Sequence, residues 1–139
     1  MTIRCLSKTI PEDIRMRLGW VDTVNPHYQL TVGKHYVVYG LCALIQGIST
    51  KLLWNVFYIV DDQGRLTYAP ACMFDLEDTK TSMHWKIRVS ADRLSVGCDL
   101  LLDDDISNRL VEGDKDLQSQ FLIIKAKIDA EALTQEKTP

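Results

Sequence analysis

Apolar residues recur at two different intervals in this sequence, and the change between them divides it. From Leu30 to Trp85, short apolar and aromatic runs are separated by turn residues, as in a small, strongly bent antiparallel sheet. Val32-Gly33-Lys34 is predicted to turn. His35–Leu41 is then the first long strand, rich in the Tyr and Val that pleated surfaces favour, with Gly40 marking a bulge or bend. Gly47–Thr50 reads as a loop. Leu52–Val60 is almost continuously apolar and is expected to form the central strand. A buried helix segment has the same hydropathy, but the β-branched and aromatic content and the following Asp61-Asp62-Gln63-Gly64 favour a strand entering a hairpin. Arg65–Tyr68 returns, and Pro70, which has no N–H to donate, ends that ladder. Cys72-Met73-Phe74 turns once before a short strand through Leu76, and Trp85–Val89 is a further strand with Ile87 and Val89 on one face.

Helical spacing governs the flanks. Thr9-Ile-Pro-Glu12 has the form of a capping box, with Pro11 tolerated in the first turn. Ile10, Ile14 and Leu18 then share one stripe, Gly19 can end the helix, and Asn25-Pro26 marks a loop. Near the other end, Ile106 and Leu110 lie four apart behind a run of aspartates, with Gly113 as the stop. Asp114 can cap a second helix on which Leu117, Phe121, Ile124 and Ile128 form a seam. That seam is expected to pack on the sheet; a coiled-coil homo-oligomer is the alternative, and two heptads are too few to claim it.

With 139 residues, 46% apolar and 25% charged, the chain has the size and composition of one soluble globular domain. The expected division is 1–29 for an N-terminal helix and loop, 30–90 for the β structure and 104–133 for the C-terminal helices. No segment approaches the roughly 20 apolar residues that cross a bilayer. The first residues lack the apolar core of a signal peptide, so a cytoplasmic protein is expected. Cys5, Cys42, Cys72 and Cys98 are scattered without a C-x-x-C pair, as buried, reduced thiols would be.

Charge is uneven around a net of −3. Residues 1–60 carry six Lys/Arg against three Asp/Glu, and residues 61–139 carry ten against sixteen. The densest acidic stretch runs from Asp99 to Asp116. It reads as a solvated face with helix-start carboxylates, or more sharply as an acidic surface for a basic partner. Either reading argues against nucleic acid as the partner.

Spacings that carry chemistry are scarce. His27, His35 and His84 are isolated, with none of the H-x-x-x-H or H-E-x-x-H ligand spacings. Asp61 and Asp62 are adjacent, so on a strand end they point to opposite faces, and D-D-Q-G is turn chemistry. Counting from Asp103, the EF-hand pattern needs Gly at its sixth position and Glu at its twelfth but meets Asn108 and Asp114. No phosphate-cradling glycine loop or hydrolase elbow occurs. No cofactor or metal is therefore expected. The aromatic set from Tyr36 to Trp85 should mostly fill the core, with some members free to line a groove.

The run T-V-G-K-x-Y-x-V-Y-G (Thr31–Gly40), I-V-D-D-x-G (Ile59–Gly64), Y-x-P-x-x-x-F (Tyr68–Phe74), Asp78 and Trp85 resembles a bacterial family of small SH3-like proteins. L-V-E-G-D (Leu110–Asp114) before the last helix is similar too, whereas residues 1–29 and 43–51 depart from the shared pattern. The resemblance implies an α+β fold: a small SH3-like antiparallel β-barrel with a short N-terminal helix and a C-terminal helical hairpin. It also implies a binding module, because some small acidic proteins of this build resemble immunity proteins that neutralise a cognate toxin.

The expected role is therefore a non-enzymatic interaction protein that binds another protein, most concretely in an immunity-type role. Asp61, Asp62, Asp103, Asp104 and Asp105 are the expected contacts. The rival readings are a small-ligand binder or enzyme using an aromatic cleft, for which His84 would need a carboxylate beside it in a deep pocket, and a structural homo-oligomer.

Overall fold

A four-residue alternation, Thr2–Cys5, organises a sheet of its own. In it Ile3 and Cys5 are buried while Thr2 and Arg4 are not, the period-two signature of a half-buried strand. The computed structural model describes residues 1–17, 24–44 and 55–135. Among them, β1 (Thr2–Cys5) is followed by α1 (Glu12–Arg17), β2 (His35–Val37), β3 (Gly40–Leu44), β4 (Val56–Val60), β5 (Leu66–Pro70), β6 (Phe74–Asp78), β7 (Lys86–Val89), β8 (Arg93–Gly97), α2 (Asp104–Glu112) and α3 (Lys115–Gln135). Single 3₁₀ turns lie at Ala71–Met73 and Asp99–Leu101.

The fold is α+β, with antiparallel sheets and three helices, but the strands do not close into a barrel. They form a three-stranded sheet in the order β2-β1-β6 and a five-stranded sheet in the order β5-β4-β3-β8-β7. Two local features open the expected barrel. β1 draws β2 and β6 to its two edges. The expected long strand His35–Leu41 breaks at Val38-Tyr39, so β2 stays with β1 while β3 joins the large sheet. Val38 points into one core and Tyr39 into the other. Gly40 marks the bend as its sequence position predicts. It sits opposite Gly97, where an added Cβ would come within 2.7 Å of the Gly40 Cα, so the two strands cross at a spacing only glycine permits.

Each face of the large sheet meets a different layer. Ile59, Ala69 and Phe57 pack under the small sheet with Ile3, Val38 and Met73. Tyr58 packs on the opposite face under α2 and α3, with Leu110, Leu117, Phe121 and Ile128. The seam of α3 thus packs in the protein's own core, as expected. Tyr39 fastens this layer: its ring meets Phe121 edge-on at 5.4 Å, and its hydroxyl donates to Asp129 at 2.7 Å.

Several local expectations are met. The β4–β5 hairpin turns at Asp61–Gly64, the 3₁₀ turn precedes β6, Asp103 and Asp114 cap α2 and α3, and Gly113 ends α2 in the left-handed conformation. Others differ. The central strand is β3, and β4 lies second from the edge; Gly47–Thr50 and Leu52–Trp54 lie outside the described residues, as do Leu18 and Gly19. The capping box at Thr9 does not start α1, which begins at Glu12. The Asn25 side chain takes both the Ile10 N–H (3.1 Å) and the Ile10 carbonyl (2.9 Å), holding that segment outside the helix. Cys5 and Cys98 are buried, but Cys72 is exposed on the 3₁₀ turn; all four cysteines are free.

Candidate functional site

Ladder partners share a face of a sheet, so the register of the large sheet sorts its side chains without ambiguity. On the face that carries Phe57, Ile59 and Ala69, the strands β3, β8 and β7 contribute two rows: Leu41 beside Val96 beside Ile87, and Ala43 beside Leu94 beside Val89. The small sheet covers only the β4–β5 half of this face. Among the described residues, none of the six packs against either core. Leu41, Ala43, Leu94 and Val96 are half-buried, whereas Ile87 is 70% exposed and Val89 67%.

Isolated exposed apolar residues are ordinary; here Ile87 and Val89 stand exposed beside four half-buried apolar neighbours on one face. β7 is also the outer strand of its sheet among the described residues. The Ser90 N–H donates to the Arg93 carbonyl at 3.0 Å, which makes that pair a hydrogen-bonded one. Bonded and non-bonded pairs alternate in an antiparallel ladder. Ile87 and Val89 are therefore non-bonded positions opposite Val96 and Leu94, and their N–H and C=O groups point away from β8 toward the open edge.

The other face of β7 is cationic. Lys86 pairs with Asp99 at 2.9 Å and Arg88 with Asp103 at 3.4 Å, while Arg93 on β8 pairs with Asp104 at 2.6 Å. Much of the acidic stretch is thereby neutralised one residue at a time. Asp103 has a second task, accepting the N–H groups of Asp105 and Ile106 as the cap of α2. That capping, with Arg88 beside it, holds its carboxyl below the usual carboxylate range. Of the three consecutive aspartates, Asp105 alone has a mostly free side chain, 82% exposed and 4.0 Å from Arg109.

Asp61 and Asp62 also work within the fold. Asp61 is buried, and its Oδ1 accepts the N–H groups of Gln63 and Arg65, both at 2.9 Å, to build the hairpin turn. Asp62 reaches across to the loop before β2, where Lys34 (2.5 Å), the Thr31 hydroxyl (2.6 Å) and the Tyr36 hydroxyl (2.9 Å) meet its carboxylate. The Lys34 and Thr31 bonds bring its pKa down to about 2. The structure thus gives each of the five expected contact residues a partner, the most exposed being Asp105 with Arg109 at 4.0 Å.

His84 does meet a carboxylate: its Nε2 lies 3.6 Å from Glu131 on α3. Beside the pair is an open groove of about 470 Å³ lined by Thr81, Met83, Lys127, Ala130, Glu131 and Thr134. It is a broad surface depression rather than the deep aromatic pocket that catalysis at His84 would call for. His27 and His35 are exposed, and no group of three or more metal-ligating side chains occurs among the described residues. Burial pushes the Cys98 thiol up to about 11, which disfavours the nucleophilic thiolate. No helix among the described residues is long and apolar enough to cross a membrane.

The chain matches no family model, no curated protein and no solved structure.

Sequence reasoning placed Ile87 and Val89 on one face of a strand but did not see what that face joins. The missing piece was β8. Its signal was present in R-L-S-V-G: Leu94 and Val96 alternate with polar residues just after Ser90-Ala91-Asp92, a turn-forming stretch.

Proposed function

We propose that this protein is a non-enzymatic interaction module that binds another polypeptide at β7, where the apolar face of its large sheet is left uncovered by the other described residues and meets the sheet edge. The observation that carries the reading is the block formed by Leu41, Ala43, Leu94, Val96, Ile87 and Val89, which ends at an open sheet edge. Burying such a block is favourable by about 25 cal/mol per Å² of apolar surface, so a partner that covers it gains affinity. The motif resemblance to small SH3-like proteins implies a binding role even though the strands here form two open sheets, and an immunity-type protein that neutralises a toxin is its most concrete form. The acidic aspartates serve chiefly as caps and ion-pair partners, with Asp105 left to tune approach of a partner by its charge.

Comparative co-purification tests the reading. Tagged wild type and an Ile87→Asp/Val89→Asp double variant are expressed in the native cell, and what each retains is identified by mass spectrometry. A partner held by the wild type and lost from the folded variant supports the apolar face. The same partner retained equally by both removes it.

A further inference from the structure

We propose that the partner docks by strand addition: one extended segment, alternating apolar and acidic residues, pairs along the open edge of β7. This rests on the interaction role above and specifies its geometry. Three observations select this occupant.

The first is size. Three strands about 4.8 Å apart and two residue rows about 7 Å apart give a footprint on the order of 200 Å². A stable dimer buries roughly 800 Å² per partner, several times more. The block is too small for a second copy to dock face-on, which leaves pairing along the edge of β7 as the way to extend it.

The second is the backbone. The N–H and C=O groups of Ile87 and Val89 point outward along the edge, two donors and two acceptors in register for a new strand. Their side chains lie on the apolar face, so every second residue of an added strand would land beside Ile87 and Val89 and extend the two apolar rows.

The third is charge. The intervening residues of that strand would land on the opposite face, beside Lys86 and Arg88. Lysine and arginine on an edge ordinarily discourage pairing. Here both are tied to Asp99 and Asp103 in exposed ion pairs, which are weak enough to be shared with an incoming carboxylate. A second β7 strand would instead bring two more cations to the same place.

Peptide titration followed by amide NMR tests the proposal. The probes are an eight-residue peptide alternating valine and glutamate, the same peptide with lysine for glutamate, and a scrambled version without alternation. The alternating acidic peptide should slow amide exchange at Ile87 and Val89 and bind at least about tenfold tighter than either control. Ile87→Pro removes one outward N–H while leaving the β7–β8 ladder bonds in place, because that N–H takes no part in them. It should weaken binding by about tenfold, whereas Ile87→Thr, which keeps the N–H, should weaken it less. Should Ile87→Pro fail to fold, a peptide N-methylated at alternate residues removes the same bonds from the other side. Equal binding of all three peptides, no response at β7 at millimolar peptide, or concentration-dependent protection of β7 without peptide would each overturn strand addition. If Ile87→Pro or the N-methylated peptide has no effect while Ile87→Asp/Val89→Asp still loses the cellular partner, the interaction role stands and only the pairing geometry falls.

Discussion

Ile87 stands directly across from Val96 in the β7–β8 ladder, and neither side chain reaches a core of the protein. That relationship sets the first expectation. Replacing exposed Ile87 and Val89 by aspartate removes little packing, so each change should cost less than about 1 kcal/mol of folding stability. Urea denaturation should therefore show a near-native midpoint for a variant whose partner binding is lost. A large fall in the midpoint would mean that these side chains are already covered in the free protein.

Gly97 makes the opposite case, a residue that matters to the fold and not to the surface. A methyl group there would sit 2.7 Å from the Gly40 Cα and 3.0 Å from the Tyr39 carbonyl oxygen, both backbone atoms that cannot swing away. Gly97→Ala should destabilise by about 1–3 kcal/mol, as overpacking does elsewhere, which the urea midpoint would report. An unchanged midpoint would contradict the close crossing of β3 and β8.

Asp62 gives a pH signature. Its folded pKa of about 2 lies below the ordinary carboxylate value of 3.8, so its ionised form is favoured by folding. The stabilisation is fully present above the ordinary value and is lost as pH falls through about 2. Wild type should lose more stability between pH 5 and pH 2 than Asp62→Asn, which has no carboxylate at position 62. Parallel pH profiles for the two proteins would show that the Lys34 and Thr31 contacts do not favour the ionised form.

The three consecutive aspartates should separate by task. Asp103→Ala removes the α2 cap and the Arg88 pair, and Asp104→Ala removes the Arg93 pair, so both should lower the thermal midpoint, Asp103 the more. Asp105→Asn, which loses only an exposed 4.0 Å pair with Arg109, should change it least. Calorimetric titration of that variant with the identified partner would then show whether surface charge contributes to binding, free of any folding defect. Equal losses of midpoint for all three would contradict this division.

How much of this was legible in the sequence varied with the range of the interaction. The caps at Asp103 and Asp114, the Gly113 stop and the hairpin at Asp61–Gly64 are local devices, and residue type and spacing suffice to read them. The seam Leu117, Phe121, Ile124 and Ile128 was legible because helical periodicity persists over many residues. β1 and β8 were not, since four or five residues of alternation carry little signal. The cost of missing them was topological. Without β1 the strands look like one bent sheet, and without β8 the apolar pair on β7 has no neighbours to join. Turn and helix-start roles for Asp61, Asp62, Asp103 and Asp104 are legible, but not their distant partners, because a sequence does not show that Asp62 will meet Lys34, Asp103 Arg88 or Asp104 Arg93. The face was hidden for the complementary reason, that what covers a strand is decided by elements remote in the chain.

Hydrogen exchange on the complex with the cellular partner tests the central claim most directly. The account predicts that binding slows exchange at the outward amides of Ile87 and Val89 and leaves the Asp103–Asp105 turn unchanged. Protection confined to the α2 start, with β7 exchanging as in the free protein, would contradict it.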